Sequence, residues 1–186
     1  MSRSLLSKRL GELQRAGVVE RRMAADGRTW EYHLTEAGAE LRPIVEQLGE
    51  WGKRWAPSNF GREDLDPALL MWDIRRNIRL EALPGHRVVV EFVFTDLPRS
   101  AVRRSWLILD TPEVDVCYKD PGFDVDLLVT GTLRTLTAAW MGDVSLRRAM
   151  ETGEIDVQGP RRLRDAFPRW LVLSLFADVQ RRLPQA

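Results

Sequence analysis

The chain has 186 residues, of which 44% are hydrophobic and 30% are charged, and its formal net charge is +1. This length and balance predict one or two soluble globular domains and exclude an intrinsically disordered chain. No apolar run approaches the roughly 18 residues of a membrane span, and the N-terminus lacks the order of a signal peptide, so we expect a cytoplasmic protein. Because Cys117 is the only cysteine, an intramolecular disulfide and a cysteine-based metal cluster are excluded.

Basic charge is concentrated near the N-terminus. Residues 1–34 contain seven Lys or Arg and four Asp or Glu, whereas residues 57–186 contain eighteen and nineteen. A polyanionic partner is therefore expected to bind the first stretch, with a merely solvated basic face as the alternative.

The first predicted element is an amphipathic helix over about residues 3–16. Leu6, Leu10 and Leu13 recur at the spacing of one helix face, and Gly17 is placed to end the helix. Small and basic side chains occupy the opposite face, with Ser7 beside it. The residues of this face are Ser4, Lys8, Gly11 and Arg15.

A hairpin and a second helix follow. The segments VVERR and TWEYHL are β-rich, and Asp26-Gly27 between them predicts a tight turn. Thr35 is placed to cap a helix over EAGAELRPIVEQLGEWGKRWA, and Pro43 is expected to kink that helix or to delay its regular part. Apolar residues at a 3-4-3-4 spacing form a seam on this helix, which predicts a homodimer. The seam consists of Leu41, Ile44, Leu48, Trp51 and Trp55.

Three segments of this region carry a family resemblance. SRSLLSKRLGELQRAGVVERR, the Asp26-Gly27 turn and YHLTEAGAEL occur in an order and at a spacing that resemble the winged helix-turn-helix of the HxlR type, within the MarR-like group of bacterial transcription regulators. The resemblance implies a recognition helix that enters the major groove and a wing whose arginines reach the minor groove or phosphates. The alternative is an ordinary amphipathic helix and hairpin with solvated arginines. The predicted DNA-binding residues are Arg3, Ser4, Ser7, Lys8, Arg22 and Arg28.

The resemblance also implies two or three helices before the recognition helix. Met1 stands where the preceding turn is expected, so the sequence predicts an N-terminally truncated form of this fold, either from a late start codon or as a fragment. In such a form the apolar residues of the first helix and the hairpin lack packing partners.

The second half of the chain alternates between strand and helix patterns. APSNFGRED predicts a linker, and Asp66-Pro67 predicts the start of a helix. HRVVVEFVFTD places alternate apolar residues on one strand face, and RRSWLILD, EVDVCYKD and FDVDLLVTG are similar. Two helices, a strand at EIDVQG and one or two terminal helices complete an α+β domain with a mostly antiparallel sheet. The shared face of the first strand consists of Val88, Val90, Phe92 and Phe94.

The strand series and LRTLTAAWMGDVSLRRAMETGEIDVQG look like the sterol-carrier-protein type of lipid-binding domain, over about residues 64–180. The resemblance implies a sterol-carrier-like antiparallel sheet covered by helices, with an apolar tunnel for fatty acyl or sterol-like molecules. The predicted domains are therefore a truncated winged helix with a dimer helix at 1–56 and a ligand-binding domain at 64–186. Plain core packing is the alternative for the aromatic residues. The predicted ligand-binding residues are Phe92, Phe94, Trp106, Trp140, Met141, Phe167 and Trp170.

Catalytic patterns have little support in the sequence. His33 and His86 are far apart, and no phosphate-binding loop or nucleophile elbow occurs. Asp124 and Asp126 share a strand face without a third ligand, which favours solvated carboxylates over a metal site. We therefore expect neither an enzyme, nor a cofactor, nor a bound metal.

The resulting prediction is a bacterial one-component transcriptional regulator, in which a winged helix binds double-stranded DNA and the C-terminal domain senses an apolar small molecule or lipid. The alternative is a lipid carrier or scaffold protein without DNA binding. An enzyme is the third hypothesis.

Overall fold

The computed structural model describes residues 3–56, 65–98 and 101–182 of the chain. It divides into two compact units, Met1–Ala56 and Pro57–Ala186, called here the N-terminal unit and the C-terminal unit. Each unit has its own secondary structure and its own way of burying side chains.

The N-terminal unit contains a helix, a hairpin and two further helices. Its strands pair antiparallel, with Val19 opposite Leu34 and Met23 opposite Trp30. The helix expected after Thr35 is divided at Leu41, because Pro43 occupies the first turn of a new helix. The elements are α1 (Arg3–Arg15), β1 (Val19–Met23), β2 (Trp30–Leu34), α2 (Glu36–Glu40) and α3 (Arg42–Trp55).

Local backbone signals explain where α1 ends. Gly17 has a φ of 72°, a conformation that glycine adopts without the steric cost of a Cβ atom. The amide of Gly17 donates to the carbonyl of Gln14 at 3.1 Å, and that of Val18 donates to Leu13 at 3.0 Å. These bonds satisfy carbonyls of the last helical turn and direct the chain into β1.

The C-terminal unit is built on one five-stranded sheet with the strand order β5-β4-β3-β6-β7. The pair β3 and β6 is parallel and the other neighbouring pairs are antiparallel, which confirms the predicted α+β fold. The strands are β3 (Val88–Phe94), β4 (Arg104–Asp110), β5 (Glu113–Cys117), β6 (Leu127–Gly131) and β7 (Ile155–Gln158). The helices are α4 (Pro67–Arg76), a 3-10 turn (Leu80–Ala82), α5 (Leu133–Trp140), α6 (Leu146–Glu151) and α7 (Arg161–Trp170).

One face of this sheet carries the core. Val88, Val90, Phe92 and Phe94 are all buried, as the alternation in the sequence predicts. Helices α4, α5 and α7 contribute buried residues to the same core cluster. These are Leu70, Met71 and Ile74 of α4, Leu133, Leu136, Ala139 and Trp140 of α5, and Phe167 and Trp170 of α7.

Capping positions the first helix of this unit. Asp66 accepts a hydrogen bond from the amide of Ala68 at 2.8 Å, and Pro67 begins α4, as the sequence predicts. At the other end of the unit, α7 stops at Trp170, and residues 171–182 continue without helix or strand.

Candidate nucleic-acid interface and apolar cavity

The outward face of α1 presents short and basic side chains. Ser4, Ser7 and Lys8 are exposed, and their spacing of three and four residues places them on one side of a thirteen-residue helix. Arg3 belongs to the first turn of the same helix. A helix of this length with small side chains on its outer face fits a major groove about 12 Å wide.

The turn of the hairpin is fixed by Asp26. Its carboxylate accepts hydrogen bonds from the amides of Arg28 at 2.8 Å and Thr29 at 2.9 Å, and the Thr29 hydroxyl donates to it as well. These donors lower the pKa of Asp26, with the Thr29 side chain contributing most. Gly27 supplies the positive φ of 64° that the turn requires. Arg28 is therefore held, exposed, beside the tip of the hairpin.

Two neighbouring arginines of β1 have different surroundings. Arg22 forms an ion pair with Glu20, which offsets its charge, and lies opposite Glu31 in the strand register. Arg21 points away from them, with its guanidinium 4.3 Å from the ring centre of Trp30. This contact orients a positive charge without neutralising it. The sequence prediction named Arg22 and not Arg21, and strand alternation places these two arginines on opposite faces of the hairpin.

The hairpin is joined to α2 by a close backbone contact. The Thr35 hydroxyl donates to the carbonyl of Gly17 at 2.5 Å and accepts from the amide of Gly38 at 3.0 Å. A Cβ atom at Gly38 would lie 2.0 Å from the carbonyl oxygen of Val18, so a larger residue cannot occupy this position without displacing the chain. This contact fixes the hairpin relative to the next helix, and sequence reasoning did not identify Gly38.

The seam of α3 is exposed along its whole length. Ile44, Leu48 and Trp51 are 61%, 65% and 58% exposed. Leu41 and Trp55 at its ends are exposed as well. Five large apolar side chains thus form one stripe that runs from the residue before this fourteen-residue helix to its last residue.

In the C-terminal unit, three of the predicted ligand-binding residues meet at one cavity. Phe92, Trp140 and Phe167 line it, and its volume is about 20 Å³. This volume accommodates about one water molecule, whereas ligand sites commonly measure about 300 to 1,000 Å³. The remaining lining residues are all apolar: Ile74, Leu136, Ala139, Leu146, Leu171 and Leu173.

A shallow groove of about 170 Å³ between α4 and α5 is also lined by Trp140. Met141, which was also predicted to bind ligand, lines this groove together with Leu65, Leu69 and Leu70. Trp140 therefore lines both the groove and the cavity.

The other predicted ligand-binding residues have different positions. Phe94 is buried on the core face of β3. Trp106 pairs with Glu91, whereas Phe92 pairs with Ser105, so Trp106 lies on the sheet face opposite the cavity. The structure thus separates Trp106 from the cavity-lining aromatic residues.

Two buried polar atoms lie near the cavity without a hydrogen-bond partner among the described residues. They are the hydroxyl of Ser105, which is beside Phe92 in the register, and the indole N–H of Trp170. The ring of Trp170 packs edge-on against Phe167 at 6.1 Å between ring centres. A buried polar atom without a partner costs about 1 to 3 kcal/mol, so a ligand or water that reached either atom would recover part of this cost.

A larger cleft of about 310 Å³ is unsuited to an apolar ligand. Arginines and carboxylates line it side by side, and its opening faces solvent. Its charged lining residues are Arg147, Glu151, Asp156, Arg164 and Asp165.

The carboxylates considered for metal binding do not converge. Asp126 accepts a hydrogen bond from the amide of Val89 at 2.8 Å and so fixes the start of β3, while Asp124 is exposed. Within residues 3–56, 65–98 and 101–182, no group of three or more His, Cys, Asp or Glu is arranged to hold a metal. In the same part of the chain no helix has both the length and the apolar character needed to cross a membrane.

Residues 1–60 match the family of HxlR-like helix-turn-helix proteins. Over 61 residues the chain is 36% identical to the uncharacterized HTH-type transcriptional regulator YvaP of Bacillus subtilis strain 168. The match covers 32% of this chain and 56% of the relative, so the chain spans little more than half the length of the curated relative it matches. The resemblance of the N-terminal unit to helix-turn-helix regulators, predicted from sequence, is confirmed.

Several solved structures are similar to the chain. The sec-alkylsulfatase Pisa1 from Pseudomonas sp. is 19% identical with a TM-score of 0.47, and the match covers 60% of this chain and 17% of that one. Palmitated SCP2L2 of Aedes aegypti is 18% identical with a TM-score of 0.42, covering 55% and 91%. The ubiquinone synthesis protein UbiJ-SCP2 is 17% identical with a TM-score of 0.37, covering 74% and 93%. Sterol carrier proteins are thus among the similar structures.

Proposed function

We propose that this chain, whose first 60 residues match the HxlR-like helix-turn-helix family, is a cytoplasmic, bacterial one-component transcriptional regulator that binds double-stranded DNA. The observation that carries this proposal is the combination of two features in one unit. The outer face of α1 presents Ser4, Ser7 and Lys8, and the Asp26 turn holds Arg28 beside the tip of the hairpin. A helix for the groove and a basic wing for the backbone are the two contacts that a winged helix makes.

The residues of this interface differ in what they bind. Lys8 and Arg28 bind phosphates, while Ser4 and Ser7 bind phosphates or base edges. Arg3, in the first turn of the recognition helix, is a further phosphate contact. Arg22 must exchange Glu20 for a phosphate, and this exchange reduces its net contribution. Arg21, oriented by Trp30, adds a positive charge on the opposite face of the hairpin.

The α3 seam supports a homodimer. A stripe of five exposed apolar side chains gains free energy when it is removed from water, and a second copy of α3 presents the complementary stripe. A twofold dimer also gives two recognition helices, which read two half-sites about one helical turn apart.

The C-terminal unit is proposed to bind an apolar small molecule or lipid. Apolar residues line the small cavity, and two buried polar atoms nearby have no partner among the described residues, so an amphipathic ligand suits the site. Because the cavity holds only about one water molecule, binding requires the unit to open. A ligand that binds only the open form shifts the population toward it, which is the property a sensor needs.

DNA binding is tested by fluorescence anisotropy with a labelled 30-base-pair duplex of mixed sequence, over a series of salt concentrations. The Lys8→Ala/Arg28→Ala variant should bind more weakly, and its log-log salt slope should fall by about 0.9 for each lost phosphate contact. Arg162→Ala is the matched control, because Arg162 is an exposed arginine on α7. Equal affinity and slope in the double variant and in the control would support the carrier or scaffold alternative.

A further inference from the structure

The chain that follows α7 lies against the apolar cavity. Residues 171–182, called here the C-terminal strap, have no regular secondary structure. Leu171 and Leu173 of the strap line the cavity, whereas Leu175 further along is 72% exposed. The strap therefore supplies two of the side chains that fill the space beside Phe92 and Phe167.

Few backbone hydrogen bonds hold this part of the strap, in which Leu171 forms an isolated β-bridge with Ile78. The amide of Val172 donates to the carbonyl of Asn77 at 2.9 Å, and the amide of Ser174 donates to the carbonyl of Trp140 at 3.0 Å. The other seven cavity-lining residues all belong to α4, α5, α6, α7 or β3, where helix and sheet hydrogen bonds hold the backbone. The strap is consequently the lining element that the fewest backbone hydrogen bonds hold in place.

An ion pair fastens the far end of the strap. Arg181 donates through Nε to one oxygen of Asp143 at 2.8 Å and through a terminal nitrogen to the other oxygen at 3.0 Å. Both side chains are less than one fifth exposed, and the hydrogen bond to Asp143 raises the pKa of Arg181. Two-point pairing between a guanidinium and a carboxylate is among the stronger and more directional side-chain contacts. Asp143 lies just after α5, three residues from Trp140.

Gly142 provides a seat for the strap. It has a φ of 75°, and a Cβ atom there would lie 2.5 Å from the carbonyl oxygen of Ala177 and 2.8 Å from its Cβ. The strap backbone thus rests directly on the turn after α5. A side chain at Gly142 would displace the strap, because Cβ atoms in proteins essentially never approach another atom so closely.

We propose that the C-terminal strap is a lid over the apolar cavity, latched by Arg181 and Asp143, and that an unbranched acyl chain enters by displacing Leu171 and Leu173. This inference rests on the proposed ligand-binding function of the same unit. The exchange is physically balanced, since the alkyl chain takes over the apolar contacts that the two leucines make with Phe92 and Phe167. Opening then costs the ion pair, the contact at Gly142 and the backbone hydrogen bonds of Val172 and Ser174.

The first test loosens the latch in the full chain. Stopped-flow fluorescence with a fluorescent C16 fatty acid measures the association rate for wild type, Arg181→Gln and the exchanged pair Asp143→Arg/Arg181→Asp. Hydrogen exchange of the Val172 and Ser174 amides reports on the strap without any ligand. Arg181→Gln should raise the association rate and the amide exchange about tenfold, as expected for a lost charge-assisted bond, and the exchanged pair should reverse much of this gain. Arg162→Gln is the control for a changed arginine.

The second test removes the seat. Gly142→Ala should accelerate fatty acid uptake because the new Cβ collides with Ala177. Gly153→Ala is a matched control, since Gly153 has a similar φ of 78° but no atom lies within 4 Å of the place that its Cβ would take. Both variants carry the same backbone strain, so their difference isolates the collision with the strap.

The outcomes distinguish a failure of the lid from a failure of the ligand-binding function. Faster uptake in Arg181→Gln and Gly142→Ala, but not in the controls, supports the lid. Uptake by wild type at a rate that no latch or seat variant changes would overturn the lid and leave the ligand-binding function standing. Absence of fatty acid binding in wild type and in every variant, while the Val172 and Ser174 amides exchange at the same rates in all of them, would overturn the ligand-binding function itself and the lid with it.

Discussion

The two units of this chain differ in how they bury apolar side chains. Every strand of the C-terminal sheet, and each of its helices α4 to α7, contributes to one core cluster. In residues 4–56 of the N-terminal unit, by contrast, only Gly38 and Lys53 are buried, and most of its large apolar residues are exposed. Local hydrogen bonds, such as those of the Asp26 turn and the Thr35 cap, stabilise the N-terminal unit in place of a core.

The two units obtain their stability from different interactions. Burial of apolar area is the largest favourable contribution to folding, and local hydrogen bonds each contribute only about 1 kcal/mol net. The C-terminal unit is therefore expected to fold by itself. The N-terminal unit needs further burial of apolar surface. The exposed α3 seam is the surface to be buried, and a second copy of the chain is the proposed partner.

The largest expected effect concerns the C-terminal core. Phe92→Ala should lower the free energy of unfolding of this unit by about 3 to 5 kcal/mol, because the substitution leaves a cavity beside Phe167. Denaturant unfolding, followed by hydrogen exchange for each unit, measures this change. Leu175→Ala, at a strap position that is 72% exposed, should change it by less than about 0.5 kcal/mol. A small effect of Phe92→Ala would mean that the packed apolar core is not what distinguishes the C-terminal unit from the N-terminal unit.

The second prediction tests whether a second copy of the chain buries the α3 seam of the N-terminal unit. Leu48→Asp places an unpaired carboxylate in the middle of the α3 seam, which is buried in the proposed dimer. We expect the dimer dissociation constant to rise at least about 100-fold in sedimentation equilibrium, corresponding to about 2.7 kcal/mol.

Ala37→Asp introduces the same charge at an exposed position in the first turn of α2, where a negative charge is tolerated, and should leave association unchanged. Sedimentation of the wild-type chain as a monomer at tens of micromolar would remove the dimer from the proposal.

Sequence reasoning predicted the elements whose signals are local. The end of α1 at Gly17, the Asp26-Gly27 turn and the start of α4 at Asp66-Pro67 each depend on the residue type at one or two positions. The alternating face of β3 followed from period-two patterning in the same way.

Features that depend on distant pairings were not predictable. Strand alternation gives the residues that share a face with Phe92 within β3 and with Trp106 within β4. Only the register between β3 and β4 shows that Phe92 and Trp106 lie on opposite faces of the sheet. The Arg181–Asp143 pair joins residues 38 positions apart. The cavity volume is set by how leucines of the strap pack, a property that residue types alone do not determine.

The third prediction compares the two arginines of the wing. Arg21→Ala should weaken duplex binding about tenfold, because the substitution removes a charge that Trp30 orients and leaves available to a phosphate. Arg22→Ala should weaken it less than about threefold, because Glu20 already offsets that charge. Anisotropy at constant salt measures both values. Trp30→Ala should reproduce part of the Arg21→Ala effect, and the reverse order of the two arginine variants would assign the DNA-facing side of the hairpin to Arg22.

The smallest expected effect is a pH dependence confined to the hairpin turn. The pKa of Asp26 is lowered below its ordinary value of 3.8, first by the Thr29 side chain and then by the amides of Arg28 and Thr29. A carboxyl group with a lowered pKa stabilises the folded turn at pH values above its ordinary pKa, and this contribution is lost as the pH falls through the lowered value. The turn should therefore be intact at pH 7 and loosen only in acid below about pH 4.

NMR detects this transition through the carboxyl carbon of Asp26 and the amides of Arg28 and Thr29, which should titrate together. Asp26→Asn keeps an acceptor oxygen but removes the charge, so it should abolish the acid transition while preserving most of the turn at pH 7. Because Arg28 stays beside the tip in this variant, DNA affinity at pH 7 should change by less than about twofold. A titration of Asp26 at or above 3.8 would show that the turn hydrogen bonds do not persist in solution, and the position of Arg28 would then not be fixed by the hairpin.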